Sequence, residues 1–229
     1  VGGVSALAYA RKIVETLTTI LHYTLGLVLF PFSAEMAAGG DQKSLAAALT
    51  SAVRALVLLF LPVALGLMVL REPFVQLLFE RGAFTAESTQ LTAGTLFYYA
   101  LALVPFALEV IIIPFFFARQ DTLTPVLTDV AAFVLNVALI PLLMPVFGLG
   151  GIALAAALAK AVKVMALLAL FARHVPTFRL APLGSFSLQM LAASLATAGA
   201  LILFSSLGLG GDDGVVDLAL YLAAGALVG

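Results

Sequence analysis

Long apolar runs recur along this chain between short polar connections, and they lack the period-2 alternation of barrel strands. About 20 residues of helix, at 1.5 Å of rise each, cross the roughly 30 Å hydrocarbon core of a bilayer. A backbone in lipid must satisfy its own hydrogen bonds, so runs of this length fold as helices. Composition agrees: 63% of residues are hydrophobic and 10% charged, where a soluble protein has about a quarter charged, and mean hydropathy is +1.19. The fold class is an all-α polytopic transmembrane helix bundle. Seven spans are predicted, near 10–34, 53–71, 90–117, 126–147, 150–172, 184–207 and from about 215 onward. The polar connections between them are too short to mark a further domain. Pro62, Pro105, Pro114 and Pro141 fall inside spans, where each removes a backbone donor and favours a kink. The chain opens at Val1 without methionine or a signal peptide and stops at Gly229 inside an apolar run, so it is expected to be part of a longer protein.

Charge sets orientation and excludes partners. The connections near 37–44, 118–125 and 173–182 carry Lys43, Arg54, Arg119, Arg173 and Arg179, against Arg11, Lys12, Arg71 and Arg81 on the other side, which places the first group in the cytoplasm. A net charge of −1 points away from nucleic acid, and zero cysteines exclude thiolate and disulfide chemistry. There is no H-E-x-x-H or G-x-S-x-G, and "GGDQKS" (39–44) breaks the order of a phosphate-binding loop. His22 and His174 are the only histidines. No enzyme, cofactor or metal site is therefore predicted.

The informative residues are those that a bilayer rejects. A charge near the centre of a span costs about 2.5–3.5 kcal/mol on insertion scales, so it faces a partner or water. Lys12, Glu15, Thr19, His22 and Gly26 share one face of the first span. That stripe is read as the wall of a hydrated cavity with a Lys12–Glu15 pair, against the alternative of a packed seam with Lys12 snorkelling outward. Lys160 and Lys163 lie one turn apart on the fifth span, while Glu109, Asp129 and Asn136 lie on the third and fourth. Two readings stay open: acids and lysines pair as buried glue between helices, or the lysines attract an anionic substrate such as a phosphate in a water-filled cleft.

The most polar stretch, "LLFERGAFTAEST" (77–89), reads as a helix break at the membrane surface. Gly82 ends a helix that begins near Glu72, Thr85 caps the next, and Glu87 lies in its first turn. The same stretch closely resembles the hallmark loop of the MurJ/MviN family, flippases of lipid-linked peptidoglycan precursor within the multidrug/oligosaccharidyl-lipid/polysaccharide exporter superfamily. Three further stretches resemble that family in the same order: "YARKIVETLTTILHYTLGLVLFP" (9–31), its cavity helix; "ARQDTLTPV" (118–126); and "VLNVALIPLLMPVFGLGGIALAAALA" (134–159), its Asn-containing helix and Gly-rich turn. The family's cavity-helix arginine falls on Lys12, its neighbouring aspartate on Arg11 and a following proline near Leu17, while Glu15 is kept. Pro114 stands where relatives usually carry an arginine.

The resemblance implies the second lobe of a two-lobe exporter over 1–174, two C-terminal helices over 175–229 that form a lateral groove for a polyprenyl tail, and an N-terminal lobe of the same protein. It implies alternating access in the bacterial cytoplasmic membrane, with a polyprenyl-diphosphate-linked substrate, lipid II. It places Lys12, Glu15, Thr19, His22, Lys160 and Lys163 at the substrate cavity, and Arg11, Glu109, Asp129 and Asn136 in a polar network. Competing functions are an exporter of another lipid-linked oligosaccharide or of small cations and drugs, or a membrane scaffold without transport. An acidic cavity would favour the cation exporter, and lysines open to the cavity the diphosphate lipid.

Overall fold

The computed structural model describes the backbone of residues 2–206, and within it the side chains other than those of residues 20–30, 32–33, 37–38 and 200–206. The predicted seventh span lies outside the described residues, and so does the side chain of His22. Eight helices are described: α1 (Gly3–Ala38), α2 (Gln42–Val69), α3 (Arg71–Phe79), α4 (Ala86–Ala100), α5 (Leu103–Ala118), α6 (Leu123–Phe147), α7 (Leu149–His174) and α8 (Ala181–Ser206). No strand occurs among the described residues. α2, α6 and α7 are each long and apolar enough to cross a membrane, and α4 with α5 does so as one bent pair.

The third span read from the sequence is broken into this bent pair near Pro105, one of the four prolines expected to favour a kink. Its axis turns by 45° where α4 gives way to α5. Pro105, in the first turn of α5, has no N–H to give the carbonyl of Leu101, and its ring crowds that carbonyl, so the turn before it opens. Pro31, Pro62, Pro114, Pro141 and Pro145 instead lie inside continuous helices.

α7 is the hub. It packs against α6, α4, α5 and α1, whereas α6 leans almost entirely on α7, and α8 rests on α2. Lipid is as apolar as leucine, so helices in it associate through close packing rather than water exclusion. α7 supplies the small residues that allow this, burying Gly150, Gly151, Ala153, Ala155, Ala157 and Ala159. Larger groups fill the other end, where Phe171 stands edge-on to Phe115, Phe116 and Phe178 at centroid distances of 5.2–6.2 Å. The outer side of α6 exposes Val126, Val130, Phe133 and Val137, an apolar stripe at helical spacing.

Two polar connections show how the chain punctuates its helices. Gly148, at φ 57° and ψ −135°, is at once the C-cap of α6 and the N-cap of α7, a conformation nearly closed to other residues. It folds α7 back so closely that a Cβ on Gly151 would lie 2.5 Å from the Leu143 carbonyl oxygen. Gly151→Ala is accordingly expected to cost about 1–3 kcal/mol and to lower the unfolding temperature in detergent; an unchanged temperature would mean that the α6–α7 contact is not tight. In the 77–89 stretch, α3 ends at Phe79, Gly82 takes φ +62°, and Glu87 lies in the first turn of α4. Thr85 occupies the expected cap position, but its side chain makes no cap hydrogen bond and meets Ser88 Oγ at 3.3 Å. The connection is fastened across the turn instead, where Thr89 Oγ1 donates to Glu80 Oε2 at 2.6 Å.

At one end of the bundle three connections meet. Thr177 Oγ1 donates to the Gln42 carbonyl at 3.0 Å, and Gln42, Arg119 and Gln120 line one depression. Asp41 caps α2 by accepting from Ser44 N at 3.0 Å, and hydrogen bonding from Ser44 holds its carboxyl below the ordinary value.

Candidate functional site

The first candidate surface is the polar face of α1. Ala6, Ala10, Ile13, Val14 and Thr18 are buried, turned into the seams with α4 and α5. Of the residues that the helical spacing put on one face, Lys12 and Thr19 are exposed and Glu15 is half-buried, and Thr16, not singled out in the sequence, is exposed beside them. The ion pair differs from expectation. Glu15 Oε1 accepts from Arg11 Nε at 2.6 Å rather than from Lys12. Both bases are one turn away, but the Arg11 fork at i−4 reaches along the axis, while Lys12 is left without an ion-pair partner among the described residues. The face therefore carries one surplus positive charge. Its threonines divide: Thr18 is buried and returns its hydroxyl to the carbonyls of Val14 and Glu15, and Thr19 stays exposed.

The start of α1 is pinned to the 77–89 stretch. Tyr9 packs its ring against Phe79 at 4.9 Å and edge-on to Phe84 at 5.4 Å. Sequence reasoning missed this cluster, although Tyr9 stands three residues before Lys12 and both aromatics flank Gly82.

The second constellation joins three helices. Lys163, on α7, has a fully buried side chain and donates to both Glu109 of α5 and Asp129 of α6. Lys160, one turn earlier, donates to the other Glu109 oxygen at 2.5 Å and lies over the Phe106 ring at 4.8 Å. Two acids and two lysines make a neutral cluster, in which both lysines are engaged by carboxylates. α5 and α6 barely touch each other directly, so α7 holds them together through these charges. One side of the cluster is open, because the Asp129 side chain remains 56% exposed. Asn136, two turns along α6, is not hydrogen-bonded to the cluster, and its Oδ1 is buried without a partner among the described residues. The Phe106 shelf was not read from the sequence, although Phe106 and Glu109 stand at i, i+3 on one face.

The two constellations differ: α1 offers a cation without an ion-pair partner among the described residues on an open face, and α5–α6–α7 bring together a compensated quartet open at Asp129. Such an arrangement can attract a polyanion at the first and hold helix geometry at the second.

Comparison with known proteins adds to this geometry. The family model described as lipid II flippase MurJ matches residues 1–216. "Probable lipid II flippase MurJ" of Rhizobium meliloti (strain 1021) is 34% identical over 203 residues, covering 86% of this chain and 38% of the relative. The lipid II flippase MurJ of Burkholderia cenocepacia is 31% identical over 153 residues, covering 67% of this chain and 30% of the relative. The chain thus spans about a third of the length of the curated relatives it matches. Among solved structures, a lipid II flippase MurJ in an inward closed conformation superposes with a TM-score of 0.76 at 20% identity, over 98% of this chain and 46% of that one.

Proposed function

The chain belongs to the MurJ family, and from that premise we propose that it is the second lobe, residues 1–174, and the C-terminal helices, residues 175–229, of a lipid II flippase of the bacterial cytoplasmic membrane. In this reading no covalent bond changes. The diphosphate and sugars of the substrate cross through a hydrated cavity between this lobe and an N-terminal lobe, while the polyprenyl tail stays in lipid. The barrier lowered is the desolvation of a charged headgroup.

The observation that carries the reading is the α1 face, where Lys12 is exposed and has no ion-pair partner among the described residues, beside the Arg11–Glu15 pair. We assign Lys12 as the charge that meets the diphosphate, Glu15 as the group that orients Arg11, and Thr19 as a further hydroxyl on the same wall. The Glu109–Lys160–Lys163–Asp129 quartet is assigned to the helix framework rather than to the substrate. A cation exporter would need an acid left uncompensated, yet Glu15, Glu109 and Asp129 each have a basic partner.

The test is replacement. A full-length protein carrying this segment should restore growth, and exposure of lipid II on the outer face, in cells depleted of their own lipid II flippase. Lysis at matched membrane levels of the protein would overturn the proposal.

A further inference from the structure

Where the first turns of α2 pass the connection between α7 and α8, a shallow groove is lined by Lys43, Thr50, Ser51, Thr177 and Arg179, with small residues at its floor. Its polar lining is two cations and three hydroxyls, with no acid. Neither Lys43 nor Arg179 has an ion-pair partner among the described residues. Asp41, the acid nearest in sequence, is engaged with Ser44 N in capping α2. The walls are fixed before any ligand arrives. Thr177 is tied to the Gln42 carbonyl at 3.0 Å, and further along α2 the Arg54 guanidinium lies 5.6 Å from the centroid of the Phe186 ring of α8.

The groove is also at a defined depth. The hydrocarbon span predicted for this helix begins near residue 53, so at about 1.5 Å per residue Thr50 and Ser51 sit just outside it and Lys43 about 15 Å outside. The headgroup layer adds about 5–8 Å on each side of the hydrocarbon, so Thr50 and Ser51 lie within it and Lys43 beyond it, with a long side chain able to reach back toward it. α8, which begins two residues after Arg179, leads back toward the hydrocarbon with Leu188, Leu191 and Leu195 exposed at helical spacing. Bases that served only to orient the chain need be near the boundary; they need not share one groove whose lining holds no acid.

We propose that this groove binds the phosphate of a membrane lipid headgroup, Lys43 and Arg179 supplying charge and Ser51 a hydroxyl donor, while Thr50 and Thr177 are held by the Ala46 and Gln42 carbonyls and shape its walls, with the lipid chains beside α8. The site is separate from the α1 face, so it stands whether or not Lys12 meets a substrate there.

The experiment measures lipid retention by the purified full-length protein in native mass spectrometry, with phosphatidylglycerol and phosphatidylcholine offered at equal amounts. Phosphatidylglycerol should be retained preferentially. Each base near a membrane surface contributes roughly fivefold, so K43Q/R179Q should retain phosphatidylglycerol about 25-fold more weakly, while K43R/R179K should retain it as the parent does. An unchanged thermal unfolding midpoint in K43Q/R179Q shows that the loss belongs to the groove. A polyprenyl diphosphate that displaces the phospholipid one for one would name the substrate lipid as occupant, and failure to displace it would name bulk phospholipid; both support a lipid phosphate site. Equal retention by K43Q/R179Q and the parent, or displacement by inorganic phosphate at the same concentration as the lipid, would overturn it.

Discussion

Lys163→Ala is expected to destabilise the folded chain by about 1–3 kcal/mol, because it leaves Glu109 short of one donor and the half-exposed Asp129 without its base. The Lys163 side chain is fully buried and donates to Glu109 and Asp129 at once. Without it Asp129 has no base, Glu109 keeps only Lys160, and the charge link between α5 and α6 through α7 is lost. Lys160 is partly exposed and serves Glu109 alone, so Lys160→Ala should cost less. The cost should follow uncompensated charge rather than lost volume. Lys163→Met fills the space yet orphans the same acids, so it should be nearly as harmful as alanine. Adding Glu109→Gln and Asp129→Asn to Lys163→Met should recover most of the loss, since a neutral set replaces a buried ionic one at little net cost. Thermal unfolding of the full-length protein in detergent measures all of these. A Lys163→Ala protein that unfolds at the parental temperature would show that the cluster is well hydrated and binds no helices together.

How much of this was legible in the sequence follows from what each interaction depends on. Helix and span depend on length and local hydropathy, so α6 and α7 were readable within a few residues, whereas α2 begins at Gln42 rather than near 53, its first turns being too polar to read as a span. Their polar connections were readable too, because Gly82 and Gly148 need backbone conformations that few other residues adopt. The bend between α4 and α5 was readable only as one of four possible proline kinks. Hydropathy runs through it without change, and Pro105 looks like Pro62 and Pro141, whose helices stay continuous. Which proline opens a turn depends on the neighbours that restore the lost bond, and those are distant in sequence. Glu15 gave the same difficulty at shorter range: Arg11 and Lys12 both stand one turn away, and only side-chain geometry chooses between them. The two readings left open for Lys160 and Lys163 required knowing that α5, α6 and α7 converge at one level. The spacing of Glu109, Asp129 and Lys163 over 54 residues carries no sign of it.

Lys12→Ala is expected to remove lipid export while leaving insertion and folding intact. The side chain is exposed and makes no ion pair among the described residues, so its loss orphans no acid and opens no cavity. A hydrogen bond to a charged group contributes about 1.5–3 kcal/mol, and in a closed cavity screened from bulk water a loss near 2 kcal/mol slows export roughly thirtyfold. Lys12→Arg should be tolerated, because it keeps the charge, and the resemblance to the family places an arginine at this position. Glu15→Gln acts differently. It preserves size but releases Arg11, raising the positive charge of the face from one to two while leaving Lys12 in place. Headgroup binding should survive and release should suffer, so export falls by less than in Lys12→Ala. Full-length variants at matched membrane levels in flippase-depleted cells give the ranking, with outer-face lipid II as the readout. Normal export by Lys12→Ala would remove the diphosphate anchor from α1. Normal export by Glu15→Gln as well would leave the polar stripe of α1 as a surface that packs against the other lobe.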